Sequence, residues 1–169
     1  MARVIANLLV GANLATCSAG SSKALSFPAD RRQFHALRAR ASAILIGGAT
    51  FRAEPYLSTT RPLLVATREP GAANNANTTT EFMAAAPSDL VEIALQRFNP
   101  PLLIEGGVSL ITPLLKARLI DELHITRSPI QGDSHFFEID LLAQYRLSEE
   151  RVDPISGGSF QIWVPTSGN

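Results

Sequence analysis

With 169 residues, 46% of them hydrophobic and 18% charged, the chain holds enough apolar mass for one well-buried core and too little for two. Fifteen basic and fifteen acidic residues cancel, which excludes a whole-molecule field able to recruit nucleic acid or an anionic membrane, so an anionic ligand has to be held by local groups. One cysteine, Cys17, excludes an internal disulfide framework, and His35, His124 and His135 are too scattered for a metal-ligand set; the expectation is a single domain over residues 1–169, in the cytoplasm, with no metal.

Taken in chain order, Arg3 followed by the apolar run Val4 to Val10 and then Leu14-Ala15-Thr16-Cys17 has the outline of a short export signal. Asn7 and Asn13 interrupt it, and Thr16 is bulkier than the residue wanted before a modified cysteine, so the segment reads as a buried first strand entering a loop over Gly11 to Phe27. Pro28 to Ala39 opens with proline, which suits a first helical turn, and repeats apolar residues at Phe34, Leu37 and Ala41. On that helix Arg31, His35 and Arg38 recur at i, i+4 and i+7, predicting a basic face turned away from Phe34 and Leu37.

Ala43 to Ile46, Leu63 to Ala66 and Leu102 to Ile104 are short continuous apolar runs, which predict strands covered on both faces. Helices are expected between them at Ser88 to Arg97 and at Val108 to Leu115, and a loop at Gly71 to Thr80. Glu122 to Thr126, Tyr145 to Val152 and Ser159 to Val164 read as further strands, the last two joined by the hairpin signal Asp153-Pro154-Ile155-Ser156-Gly157-Gly158. Strands alternating with helices and ending in a hairpin predict an α/β fold, mostly parallel with antiparallel C-terminal strands.

Ligands of open α/β sheets bind outside the carboxyl ends of the strands. Here those ends read Gly47-Gly48-Ala49-Thr50, Thr67-Arg68 and Glu105-Gly106-Gly107. Glycine lets a backbone approach a ligand closely, and a helix starting just after it directs unpaired N–H groups at an anion, so two such turns suggest a phosphate-bearing cofactor. Thr67 and Arg68 offer a hydroxyl and a guanidinium for an extra phosphate, such as that of NADPH. None of these turns is a G-x-G-x-x-G fingerprint. Glu105 ends an apolar strand, where a carboxylate is costly unless paired or used; it reads as an acceptor for ligand hydroxyl or N–H groups, or as a cap on the helix that follows. His124, within a strand pattern, reads as a satisfied ring, and Gly107-Val108-Ser109 lacks the second glycine of a nucleophile elbow.

In order and spacing, "PADRRQFHALRARASAILIGGATFRAEPY", "VATR", "LLIEGGVSLITPLL" and "LIDELHITRSPIQGD" together resemble the reductase domain of riboflavin-biosynthesis proteins, within the dihydrofolate-reductase-like superfamily. The resemblance covers most of residues 4 to 133 and implies a three-layer α/β/α fold around a mixed sheet, NADPH as hydride donor, a homodimer, and a phosphoribosylaminopyrimidine substrate whose ribose is reduced to ribityl. The zinc deaminase often fused to this reductase is not expected, since P-C-x-x-C is missing. Carried over by position, the resemblance assigns Gly47, Gly48, Thr50, as cap of the helix after the two glycines, and Glu54 to the cofactor, with Thr67 and Arg68 at its 2′-phosphate and Gly106, Gly107, Val108 and Ser109 at its pyrophosphate and nicotinamide. It assigns Ser22, Arg38, Leu57, Arg61 and Glu105 to the substrate, and no residue as proton donor. Hydride transfer would run from nicotinamide C4 to the ring-opened sugar C1.

One departure stands out. Where the family usually has a Ser-x-Asp-Gly turn after the first strand, this chain reads Gly11-Ala12-Asn13-Leu14, without the hydroxyl, the carboxylate or the glycine. Two alternatives follow: a dihydrofolate reductase, since Pro28-Ala29-Asp30 before Phe34 resembles that enzyme's P-x-D-x-x-x-F helix, and a non-catalytic nucleotide-binding dimerisation module.

Overall fold

The computed structural model describes residues 3–53, 59–68 and 79–166. Ten strands are found among them: β1 (Val4–Val10), β2 (Ala15–Cys17), β3 (Ala43–Gly47), β4 (Leu63–Ala66), β5 (Thr80–Met83), β6 (Leu102–Glu105), β7 (Glu122–Arg127), β8 (Ser134–Phe136), β9 (Tyr145–Val152) and β10 (Ser159–Pro165). The helices are α1 (Pro28–Arg40), α2 (Gly48–Ala53), α3 (Pro87–Arg97) and α4 (Val108–Lys116), with a 3₁₀ helix over Ile139–Gln144. Eight strands form one sheet in the order β5-β4-β3-β6-β1-β7-β10-β9, and β2 pairs with β8 in a small separate ribbon.

Chirality explains which helix covers which face. From β1 the chain crosses through α1 to β3 on one side, then returns through α3 to β6 and through α4 to β7 on the other. Right-handed crossovers running in opposite directions along a sheet put their helices on opposite faces. Accordingly, Leu37 of α1 and its C-cap Ala41 pack with Ile5, Ile44, Ile46 and Leu103. On the opposite face Leu90, Val91 and Ala94 of α3 and Leu110, Ile111, Leu114 and Leu115 of α4 pack with Val4, Ala6, Leu8, Leu45, Ile104 and Leu123. The three-layer α/β/α arrangement is therefore present, and the continuous apolar runs of β3, β4 and β6 are buried on both faces.

The sequence-based outline needs three corrections. The expected loop over Gly11 to Phe27 contains β2, which pairs Ala15 with Phe136 and Cys17 with Ser134; neither three-residue strand has enough length to show alternation. Thr80, placed in a loop by composition, begins β5, an edge strand half-buried throughout and so without an apolar run; residues 71–78 lie outside the described residues. Arg31 and Arg38 do not stand on a face apart from Phe34: their guanidiniums lie 5.1 and 4.1 Å from its ring centroid. Stacking a planar cation on an aromatic face shields both, which a face count by charge overlooks.

The turn Gly11-Ala12-Asn13-Leu14 is held by its own contacts. Leu14 N–H donates to Gly11 O at 2.9 Å, and Leu14 takes the left-handed φ of 68° that glycine adopts more cheaply. Its side chain packs against the larger core. Asn13 Oδ1 accepts from Gly132 N–H at 3.0 Å, and Asn13 Nδ2 donates to Gly132 O at 2.9 Å. Gly132 has no room for a side chain, since a Cβ there would meet Cys17 O at 2.3 Å and Ala15 Cβ at 2.7 Å. Gly132→Ala is therefore expected to lower the unfolding free energy by roughly 1–3 kcal/mol, the usual cost of forced overpacking, as measured by urea unfolding; an unchanged midpoint would mean that this ribbon is not docked in solution.

Candidate functional site

The chain reverses its direction along the sheet around β1, β6 and β3, and ligands of open α/β sheets bind outside the carboxyl ends of the strands at such a switch point. Two glycine turns meet there. Gly47 closes β3 and Gly48 opens α2; Gly106 and Gly107 link β6 to α4. They are joined by a hydrogen bond from Gly107 N–H to Thr50 Oγ1 at 3.3 Å. Thr50 therefore lies within α2 and bridges the two turns, rather than capping the helix as expected.

The turns leave backbone open to a ligand. A Cβ on Gly47 or Gly107 would meet nothing within 4 Å. Gly107 is the N-cap of α4, no side chain caps that helix, and no acidic residue stands in its first turn, so the positive end of its dipole has no negative side chain on its own turn. Gly106 has φ 132°, a region that L side chains rarely adopt. Half-buried Val108 and exposed Ser109 form the first turn of α4. At the end of β4, Thr67 lies against Gly48, whose Cβ would come 3.2 Å from the threonine Cβ, and Arg68 is exposed beside it. A pyrophosphate cradle flanked by a cation fits this backbone.

The groups expected to touch substrate are distributed differently. Arg38 Nε and Nη2 donate to Glu105 Oε1 and Oε2, both at 2.7 Å, a bidentate pair in which Glu105 is only 2% exposed. Glu105 thus gains a fixed orientation from α1 and does not cap α4. Arg61 spends one donor on Ala39 O at 2.8 Å, tying the last turn of α1 to the approach to β4. Ser22 lies in the loop before α1, where its carbonyl accepts from Leu25 N–H. Glu54 and Leu57 fall outside the described residues.

Asp30, in the first turn of α1, is 6% exposed. Ser26 Oγ donates to Asp30 Oδ2 at 2.5 Å, and Thr126 of β7 also hydrogen-bonds its carboxyl. Burial raises the Asp30 pKa above the ordinary carboxylate value, with Ser26, Thr126 and Arg31 pulling the other way. Sequence reasoning attached this acid only to one alternative, because its partner Thr126 is 96 positions away and only folding brings them together. It took Asn7 only as an interruption of the first apolar run, although its amide oxygen is buried. Among the described residues no cluster of metal-ligating side chains occurs, and no helix is long and apolar enough to cross a membrane.

Residues 14–132 match the family model of the RibD C-terminal domain. A protein from Shewanella sp. PV-4 assigned to riboflavin biosynthesis superposes with a TM-score of 0.76 at 18% identity, over 99% of this chain and 100% of that one. The dihydrofolate reductase of Enterococcus faecalis, solved with NADP(H) and RAB-propyl, gives 0.74 at 18% identity over 98% and 97% of the two chains. The Thermotoga maritima diaminohydroxyphosphoribosylaminopyrimidine deaminase/5-amino-6-(5-phosphoribosylamino)uracil reductase gives 0.76 at 14% identity; 97% of this chain spans 56% of that one. These likenesses show a dihydrofolate-reductase-like fold. No curated protein matches the chain.

Proposed function

The chain belongs to the RibD C-terminal domain family, and on that premise we propose that it is an NADPH-dependent oxidoreductase that reduces the ribose of a phosphoribosylaminopyrimidine to the ribityl form. The observation that carries this reading is the pair of glycine turns locked together by Thr50, with Thr67 and Arg68 at the neighbouring strand end. When bound there, NADPH would supply a hydride. The leading amides of α4 hold a pyrophosphate, and Arg68 meets a 2′-phosphate. Glu105, kept rigid by Arg38, accepts hydrogen bonds from the substrate. The protein's task is positioning and exclusion of water, since the reduction asks for little covalent chemistry from side chains.

A second reading, dihydrofolate reduction, is favoured by one observation: Asp30 is buried, held by Ser26 and Thr126, and holds a proton more readily than an ordinary carboxylate. Such an acid suits the N–H edge of a pteridine, and supplies the proton donor that the sequence left unassigned.

Titration with NADPH and NADH, followed by addition of each substrate, tests both. We expect tight NADPH-selective binding, oxidation on adding the phosphoribosylaminopyrimidine, and, in Arg68→Ala, NADPH affinity reduced by about one charge-assisted contact, roughly 1.5–3 kcal/mol, with NADH binding unchanged. Turnover of dihydrofolate with tight methotrexate binding would select the second reading; binding of neither nucleotide would end both.

A further inference from the structure

One row of side chains crosses the middle of the sheet beneath α1. In register it runs Ile46, Glu105, Asn7, His124 and Ile162. The polar members on either side of Asn7 are engaged: Glu105 by Arg38, and His124 by Gln33 at 3.5 Å and Glu122 at 3.1 Å. Two positions further along β7, Thr126 is bonded to Asp30. Within this ring of paired groups, Asn7 Oδ1 is buried and has no hydrogen-bond partner, alone among the buried side-chain N and O atoms of the described residues.

An acceptor removed from water without a donor is costly, and interiors rarely keep one. Asn7 stands on the central strand, three positions before Val10, the last residue of β1, with Ile46 and the buried Ile5 and Leu37 on the same side of the sheet. A charged phosphate has no reason to enter so deep. The edge of a flat heterocycle does, provided that it brings a donor.

We propose that Asn7 determines specificity in the proposed reaction, its Oδ1 accepting a hydrogen bond from a ring N–H of the substrate's heterocycle. This rests on the reading of the substrate as a pyrimidine. Glu105 and Arg38 then face the ring's substituents, and the phosphorylated sugar stays toward the glycine turns. The amide, unlike a carboxylate or an ammonium, reads the donor without adding a charge beside Glu105.

Calorimetric titration of the intact chain with 6-aminouracil and with its 1,3-dimethyl derivative, which lacks both ring N–H groups, tests this. Saturable binding of 6-aminouracil is expected, with affinity at least about ten-fold weaker for the dimethyl compound and for Asn7→Leu, the loss of one buried hydrogen bond. Asn7→Leu should keep wild-type NADPH affinity and resist urea no less than the wild type, because it removes an unpaired oxygen at similar volume. Equal affinity for the two ligands, absence of binding, or unaltered 6-aminouracil affinity in Asn7→Leu would overturn the assignment. Should Asn7→Leu fail to fold, the ligand comparison on the wild type decides alone. Absence of NADPH binding or oxidation would sink the reductase reading and leave the ring N–H comparison intact.

Discussion

Replacing Arg38 by methionine is expected to lower the unfolding free energy by about 3 kcal/mol or more, the effect of stripping a buried charge of its counterion. The pair is bidentate at 2.7 Å, with 16% exposure for the arginine side chain and 3% for that of Glu105. Water cannot take over the role of the lost guanidinium at a carboxylate so enclosed. Because desolvation of both charges already offsets most of their attraction, the double variant Arg38→Met/Glu105→Leu should lie within about 1 kcal/mol of the wild type. Urea unfolding of the wild type, Arg38→Met, Glu105→Leu and the double variant gives the coupling directly. A single-variant loss below about 1 kcal/mol would show that Glu105 is hydrated in solution. On the proposed function, the single and double variants should both lose turnover of the phosphoribosylaminopyrimidine, separating the pair's effect on stability from its proposed role at the substrate.

Substituting Gly106 by alanine should abolish measurable cofactor binding, a loss of at least about 100-fold, or ~2.7 kcal/mol. Two effects combine. At φ 132° a side chain is strained whatever the space around it, at a cost of order 1–3 kcal/mol. Its Cβ would also stand 3.0 Å from Thr50 Oγ1, pressing on the hydroxyl that accepts the Gly107 N–H and holds the two turns together. Removing that hydroxyl in Gly106→Ala/Thr50→Ala relieves the contact and leaves the strain, so thermal unfolding should recover in part while NADPH affinity stays low. Wild-type NADPH affinity in Gly106→Ala would place the cofactor elsewhere.

Much of this architecture was legible in the sequence. β4 and β9 were bounded to the residue, β4 as a short continuous apolar run and β9 by the hairpin signal that follows it, and the strand-helix alternation gave the layer order, because buried parallel strands are continuous apolar runs and amphipathic helices regular ones. The glycine turns were legible for a related reason: close backbone approach leaves a local mark. The short pieces were not. β2 and β8 exist only because Asn13 and Gly132 dock two segments 119 positions apart, and β5 is held by the edge of β4.

The site divides along the same line. Sequence by itself determined the fold class, from local periodicity, the family, from the order and spacing of its motifs, and the glycine turns that end β3 and β6, from glycine's freedom of backbone. Tertiary structure alone decided that Arg38 grips Glu105, that Thr50 bridges the two turns, that Thr126 meets Asp30, and that Asn7 keeps an oxygen without a donor. Each of these depends on which side chain is brought opposite which by sheet register and helix docking. Such partnerships are set by the burial of the whole core, and no short stretch of chain contains both members.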